Sequence, residues 1–127
     1  NKFEKGMNFQ VSGEVLRILP VVSGTTQKGY DFKKQTIVLR AFDKEQHIIA
    51  LEVRGKRVDE YDYLKAGDQI TALFEIESRS YQNKEGKECF SSTIEAYYIR
   101  DYVGNPSDEQ LLNDQVAMVA NSTQVRR

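Results

Sequence analysis

A long run of alternating apolar and polar residues between Leu64 and Tyr98 constrains this chain more than any other feature of its sequence. The first half repeats apolar residues at every second position, the period of a half-buried strand: Ile70, Ala72, Phe74 and Ile76. The second half places these residues on one face of a returning strand: Phe90, Ser92, Ile94, Ala96 and Tyr98. Between the halves lie the polar residues Asn83–Lys87, and Gly86 can adopt the positive φ that hairpin turns use. The run predicts a long β-hairpin.

Three further strand candidates and one short helical segment precede this hairpin. We expect strands over residues 8–19, 32–42 and 47–54, and helical turns over residues 55–64. The helical turns are indicated by Val58, Tyr61 and Leu64, which are three residues apart. Gly13 interrupts the first strand, and the apolar face changes after it, which indicates a bulge or a sharp coil.

The predicted order of elements is strand, strand, strand, short helix, strand, strand. This order matches an all-β, five-stranded oligonucleotide-binding (OB) barrel. Another small antiparallel barrel or a β-sandwich remains the alternative at this point. We expect one OB-fold domain over residues 8–100 and a helical or disordered C-terminal tail over residues 101–127.

The C-terminal tail carries the signals of a helix. Ser107 can cap its N-terminus, and Asp108 and Glu109 occupy the first turn, where the helix dipole favours acidic residues. A modest apolar stripe follows at Leu111, Leu112, Val116 and Val119. The stripe fits either a helix that docks a partner or another copy of the chain, or a frayed tail.

The overall charge excludes a strongly cationic, histone-like protein. The chain has 18 basic and 19 acidic side chains, a formal net charge of −1. Subtracting the 2 basic and 4 acidic residues that lie at or beyond Asp101 leaves 16 basic and 15 acidic groups in residues 1–100. A near-neutral barrel still permits a local basic groove, because a phosphate responds to the nearby field.

Few residues in this sequence are suited to catalysis or metal binding. The single histidine, His47, and the single cysteine, Cys89, exclude a zinc site built from several His and Cys ligands. Glu75 and Glu77 share one side of a strand without a metal or pocket motif, so we interpret them as solvated residues. The sequence therefore predicts a protein that is not an enzyme and holds no metal or cofactor.

Two observations bear on the cellular location. A lone cysteine cannot form an internal disulfide, which favours a reducing, cytoplasmic setting. No apolar run approaches the about 20 residues of a membrane span, and the N-terminus has no apolar signal-peptide core. We expect a cytoplasmic protein without membrane contact.

Basic and aromatic residues gather in three segments of the chain. The first segment contains Lys28, Tyr30, Phe32, Lys33 and Lys34. The second contains Arg54, Lys56 and Arg57, and the third contains Arg79, Tyr81, Lys84, Lys87 and Phe90. In an OB barrel the loops that carry the first and third segments flank one face, where cations can follow phosphates and rings can stack on bases. Taken singly, each cluster also fits a structural role, with Phe32 and Phe90 as core residues.

The hairpin sequence resembles that of bacterial single-stranded DNA-binding proteins. The resemblance rests on Lys65–Asp68, Arg79 with Tyr81, Asn83–Lys87, Phe90, Thr93–Glu95 and, after the third strand, Gly55–Lys56. It covers roughly residues 8–100. The chain is also similar to a small uncharacterised family of Bacteroidetes proteins.

The resemblance implies a homo-oligomer, dimer or tetramer, that serves DNA replication, with Tyr81 at a stacking position usually held by tryptophan. The chain departs from the family pattern in three ways. It has no tryptophan, it has Arg54 where the family has an aromatic residue, and it ends in Val125, Arg126 and Arg127 without an acidic tip.

The sequence as a whole predicts a non-enzymatic protein that binds single-stranded DNA with little sequence preference. Binding would use counterion release from phosphates together with stacking on Tyr81 and on further exposed rings. The choice between DNA and RNA stays open. The alternative is an OB-fold protein-interaction subunit of a replication or mobile-element complex.

Overall fold

The structure, a computed structural model, describes residues 8–125, with side chains described as far as residue 121. Arg126 and Arg127 at the C-terminal tip lie outside the described residues. Six strands and two helices follow one another along the chain in this order: β1 (Phe9–Ile18), β2 (Val22–Thr25), β3 (Asp31–Ala41), β4 (Ile48–Arg54), α1 (Lys56–Glu60), β5 (Gln69–Gln82), β6 (Glu88–Asp101) and α2 (Asp108–Val125).

The strands form one sheet that closes on itself. Their order is β1-β5-β6-β4-β3-β2, and an additional pairing of β1 with β3 completes the ring. All pairings are antiparallel except β4 with β6, which is parallel. The barrel therefore consists of β1, β3, β4, β5 and β6, with α1 between its third and fourth strands. This confirms the prediction of an all-β OB barrel.

The core is built from the inward side chains of the alternating strands. Val15, Leu39 and Leu51 are fully buried, as is Ile70 on the predicted hairpin. Val58 of α1 joins the same apolar cluster, so this short helix covers one end of the barrel. In β1, β3 and β4 the buried residues alternate along the strand, which explains why a period of two could be recognised in the sequence.

Two irregularities shape the barrel strands. In β1, the pairing register with β3 shifts between Val15 and Arg17, which confirms the predicted change of apolar face after Gly13. In the β5–β6 hairpin, the register shifts between Leu73 and Phe74. The second shift puts Tyr98 on the face opposite Ala96, so the expectation that these two residues share a face is wrong. The extra residue at a bulge reverses the alternation beyond it.

The segment between the first two predicted strands is not only a loop. It contains β2, a four-residue strand that pairs with the start of β3. All four residues of β2 are exposed, so they show no alternation of apolar and polar side chains. Sequence periodicity detects strands with one buried face, and it misses a strand with two solvated faces.

The C-terminal segment forms a regular helix, α2. The Ser107 hydroxyl accepts the backbone N–H of Gln110 at 3.2 Å, which confirms the predicted N-cap. The helix turns Asp114 inward, where its carboxylate binds Arg100 of β6. The apolar stripe is exposed at all four of its positions: Leu111, Leu112, Val116 and Val119. Among the described residues, no helix is long and apolar enough to cross a bilayer.

Candidate nucleic-acid interface

Two hairpins face each other across the outer surface of the barrel. The first joins β2 to β3, and the second joins β5 to β6. We call the space between them the groove, a cavity of about 430 Å³. Phe32, Lys33 and Lys34 of β3 line it, together with Arg54 at the end of β4 and Arg79 of β5. The groove thus brings together members of all three basic and aromatic segments found in the sequence.

Phe32 stands between the groove and a neighbouring cavity of about 630 Å³. Phe32 and Lys33 line both cavities, and Lys56 lines only the second. The ring of Phe32 lies over Gly24, its partner on β2, and a Cβ added to Gly24 would come within 3.0 Å of the ring. The missing side chain at Gly24 therefore lets an aromatic ring lie against the strand at the edge of the groove.

The aromatic residues of the three segments are available to a ligand. Tyr30 is 70% exposed, Phe32 41%, Tyr81 52% and Phe90 67%. The alternative interpretation of Phe32 and Phe90 as core residues is therefore wrong. Phe32, Tyr81 and Phe90 lie near the ends of their strands, and Tyr30 lies in the turn before β3.

The β5–β6 hairpin projects from the barrel as a two-stranded arm. Beyond Ile76 and Ile94 the two strands pair only with each other, which defines the arm as residues 77–93. Asn83 closes its turn, because the Asn83 side chain accepts the backbone N–H groups of Glu85 and Lys87 at 2.9 and 3.0 Å. Gly86 has a φ of 80°, as predicted.

The arm presents two different faces. Arg79 and Tyr81 share one face, and Arg79 lines the groove. Phe90 pairs with Ser80 and lies on the other face. The structure therefore separates Phe90 from the Arg79–Tyr81 pair with which it was grouped in the sequence.

Three further cations of the sequence clusters lie outside the groove. Lys84 and Lys87 are exposed in the turn of the arm, and Lys28 is exposed in the turn between β2 and β3. None of these three lysines lines either cavity beside Phe32. They stand at the tips of the two hairpins, where they can extend a positive field beyond the groove but do not form its walls.

The cations in and beside the groove differ in whether a carboxylate pairs with them. The Lys33 ammonium pairs with Asp59 of α1 at 2.7 Å. Lys34, Lys56 and Arg79 make no ion pair within the described part of the chain. Arg57 is turned away, because its Nε donates to the backbone carbonyl of Tyr97 at 3.0 Å. Lys34 and Arg79 are thus the cations of the groove best placed to bind phosphate.

Arg54 is held by carboxylates rather than free. Its Nε donates to Glu52, and its Nη1 lies 3.5 Å from both Glu77 and Glu95. Glu75 lies directly opposite Glu95 on the next strand. We call Glu52, Glu75, Glu77 and Glu95 the glutamate patch. Arg54, which was grouped in the sequence with candidate phosphate ligands, is thus paired with carboxylates. Glu77 is exposed, as predicted, and Glu75 is partly buried.

The electrostatics of the patch follow from partial burial. Burial raises the pKa of Glu95, while the nearby Arg54 opposes this shift. Burial also disfavours the charge of Arg54, but the hydrogen bond to Glu52 and the charge of Glu95 raise its pKa above the usual value. Sequence analysis missed Glu52 and Glu95 because their proximity depends on the parallel pairing of β4 with β6.

One group of described residues has the composition of a metal site. Ligand atoms of Asp43, Glu45 and His47 lie within 4.8 Å of one another in the turn between β3 and β4. All three residues are exposed, and a hydrogen bond with His47 lowers the pKa of Asp43. An exposed turn with carboxylates is common without an ion, so we assign no metal to it.

The fold is similar to those of two structurally characterised OB-fold proteins. One is the second OB-fold domain of replication protein A from Methanococcus maripaludis, with a TM-score of 0.52, 15% identity, and coverage of 80% of this chain and 89% of that one. The other is the mitochondrial single-stranded DNA-binding protein Rim1 from S. cerevisiae, with a TM-score of 0.50, 10% identity, and coverage of 74% and 92%. At these identities the similarity shows the fold. The proposed kinship with bacterial and Bacteroidetes proteins stays a prediction.

The sequence matches no curated protein. A family model described as a domain of unknown function does match, over residues 10–100. That range begins in β1 and ends in β6, so it covers nearly the whole barrel and both hairpins of the groove. The chain therefore belongs to the DUF3127 family.

Proposed function

We propose that this protein binds single-stranded DNA in the groove, without enzymatic activity and with little sequence preference. The observation that carries the proposal is the convergence of Phe32, Lys34 and Arg79 on one cavity. These residues come from strands that are distant in the sequence, and they combine cations with an exposed ring. Such a combination suits a flexible polymer that carries phosphates and bases.

The structural similarity supports the proposal in a general way. One neighbour is a domain of replication protein A, and the other is named as a single-stranded DNA-binding protein. Tyr81 extends the same face beyond Arg79, so a strand that leaves the groove along the arm would meet a second ring. We therefore assign phosphate contacts to Lys34 and Arg79 and base stacking to Phe32 and Tyr81.

The remaining sequence candidates take secondary roles in this proposal. Lys28, Lys84 and Lys87 at the hairpin tips would steer DNA by long-range attraction. Tyr30 and Phe90 would bind bases only if the strand wraps around a hairpin. Lys33 and Lys56 border the second cavity. Arg54 would contribute less than its position suggests because carboxylates hold it.

Fluorescence anisotropy with labelled oligo-dT tests this proposal. With the two phosphate contacts assigned to Lys34 and Arg79, we expect log Kobs to fall against log salt concentration with a slope of about −1.4. An oligonucleotide of about 15 nucleotides suits the site size of one OB fold. Absence of binding at low salt, or binding that is insensitive to salt, would contradict the proposal. A parallel titration with oligo-rU measures the choice between DNA and RNA.

Substitutions on the arm locate the binding face. We expect Tyr81→Ala to weaken binding about 5- to 150-fold, the equivalent of about 1–3 kcal/mol for one stacked base. Arg79→Ala should reduce the salt slope by about 0.7, the loss of one phosphate contact. The matched controls are Tyr63→Ala and Lys44→Ala, which remove an exposed ring and an exposed cation away from the groove. Equal losses in the controls would show that the groove is not the site.

A second candidate function is suggested by the exposed stripe on α2. Leu112 is 58% exposed and Val116 59%, although they lie four residues apart on one helical face. Such a face fits a protein-interaction module, or the homo-oligomer that the family resemblance implies. We propose a second copy of this chain as the occupant. Sedimentation should then show an oligomer for the wild type and a monomer for the double variant Leu112→Glu/Val116→Glu. A monomeric wild type would refute this proposal.

A further inference from the structure

The glutamate patch occupies the middle of the outer face that borders the groove. Glu52 lies opposite Glu95 across the β4–β6 pairing, and Glu95 lies opposite Glu75 across the β5–β6 pairing. Like charges that face each other on neighbouring strands are unfavourable unless a counter-charge lies between them. Arg54 lies within the patch, and the charge of Arg57 also acts on Glu95. Two positive charges against four carboxylates still leave the patch with a net negative charge.

The patch and the groove share one surface. Glu52 and Arg54 line the groove together with Lys34 and Arg79. Lys34 is the direct cross-strand neighbour of Arg54, so a free cation and a neutralised cation lie side by side. A DNA phosphate in the groove therefore meets free cations together with the carboxylates of Asp31 and Glu52, which also line it.

The carboxylates compete with DNA for Arg54. The Nε of Arg54 donates to Glu52, and Glu77 and Glu95 lie 3.5 Å from its Nη1. Their side chains are 15%, 50% and 22% exposed, so those of Glu52 and Glu95 are largely shielded from water and from screening salt. A phosphate that reached Arg54 would approach these carboxylates against electrostatic repulsion.

We propose that the glutamate patch confines single-stranded DNA to the groove and keeps it off the centre of the outer face. Glu77 and Glu95 are then specificity-determining residues that limit both the affinity and the length of DNA bound. This inference rests on the proposed function, because it describes how the same site restricts its ligand. Its signature is a gain of binding when a carboxylate is neutralised.

The test compares Glu77→Gln, Glu95→Gln and their combination with the wild type. Each substitution keeps the size of the side chain and removes its charge. We expect each to tighten oligo-dT binding about five- to tenfold, the scale for one like charge removed near a phosphate. If the freed Arg54 gains a phosphate contact, the salt slope becomes steeper by about 0.7. Titration of a longer oligo-dT should show more nucleotides occluded per protein in the double variant.

Glu45→Gln is the matched control. Glu45 is exposed in the turn before β4, while Arg54 ends that strand, so the strand's seven residues place the two about 20 Å apart. Glu45→Gln removes one negative charge, as Glu77→Gln does, but it leaves the glutamate patch unchanged. Glu77 is half-exposed, so Glu77→Gln should fold even if the more buried Glu95→Gln does not, and far-UV circular dichroism checks both.

The outcomes separate this inference from the proposed function. Suppose that the wild type binds oligo-dT and that Arg79→Ala weakens this binding. If Glu77→Gln then binds oligo-dT no more tightly than Glu45→Gln, the inference is overturned and the proposed function stands. If neither the wild type nor the double variant binds at low salt, both fail. Binding by the double variant alone would contradict the proposed function and the inference with it, since the wild type would hold no DNA in the groove for the patch to confine.

Discussion

Replacing Asp114 with alanine is expected to weaken the docking of α2 on the barrel by about 3–5 kcal/mol, the usual result of removing one partner of a buried ion pair. The Arg100 Nε donates to both carboxylate oxygens of Asp114, at 2.9 and 3.1 Å, and its Nη2 donates to Oδ2 at 2.8 Å. The two side chains are only 10% and 6% exposed. The hydrogen bonds to Asp114 raise the pKa of Arg100. An arginine guanidinium stays charged even without such a partner, so the loss of Asp114 leaves a charge unpaired.

The expected outcome of Asp114→Ala is a detached helix rather than an unfolded barrel. Arg100 can regain water if α2 leaves the sheet, so the total loss cannot exceed the docking free energy of the helix. Native-state hydrogen exchange should show faster exchange for the α2 amides and little change in β3 and β4. Asp108→Ala, in the exposed first turn of the same helix, is the control and should cost less than about 1 kcal/mol. Equal effects of the two substitutions would contradict the assignment.

Gly13→Ala should destabilise the barrel itself by about 3 kcal/mol, at the upper end of the range for overpacking. Gly13 pairs with Ala41 of β3 on one side and with Ile70 of β5 on the other, at the point where the ring closes. A Cβ added there would lie 2.3 Å from the backbone oxygen of Arg40. Backbone atoms cannot yield as a flexible side chain does, so the β1–β3 contact must open.

Urea denaturation measures this effect. Gly104→Ala is the matched control, because the nearest atom to its added Cβ is the Tyr102 hydroxyl at 4.0 Å. We expect the control to lie within about 0.5 kcal/mol of the wild type. If Gly13→Ala behaved like Gly104→Ala, the close approach of β1 and β3 would not be what closes the barrel.

The two stability predictions concern different parts of the molecule and bear on function differently. Gly13 closes the ring that holds β3 and β5, and these strands carry Lys34 and Arg79 into the groove. Asp114 fixes α2, which exposes the apolar stripe and contributes no residue to the groove. Loss of α2 docking should therefore spare binding of single-stranded DNA, while opening of the barrel should weaken it.

Most strands were predictable because their signals are local. Ile37, Leu39 and Ala41 are buried at alternate positions of β3, and the same alternation marks β1 and β4. The bulge that moves Tyr98 to the other face left no trace in the pattern, since Tyr97 is also apolar enough to be buried. β2 was missed because it buries nothing.

The candidate site was predictable as a composition but not as an arrangement. The sequence showed cations and rings in three segments, and the structure brings Phe32, Lys34 and Arg79 to one cavity. The structure places Phe90 on the other face of the arm, and it pairs Arg54 with carboxylates of the glutamate patch. Neither outcome is visible in the sequence, because both depend on which strands become neighbours.

The sequence by itself determined the elements whose chemistry is contained in a few adjacent residues: the period of the barrel strands, the Asn83–Gly86 turn and the Ser107 cap. Only the tertiary structure decided which charges remain free. Glu52 and Glu95 meet through the parallel pairing of β4 with β6, and this pairing turns Arg54 from a candidate phosphate ligand into the centre of an acidic patch. The physical reason is that charges act through space, so the partner of a cation is set by strand order and not by its neighbours along the chain.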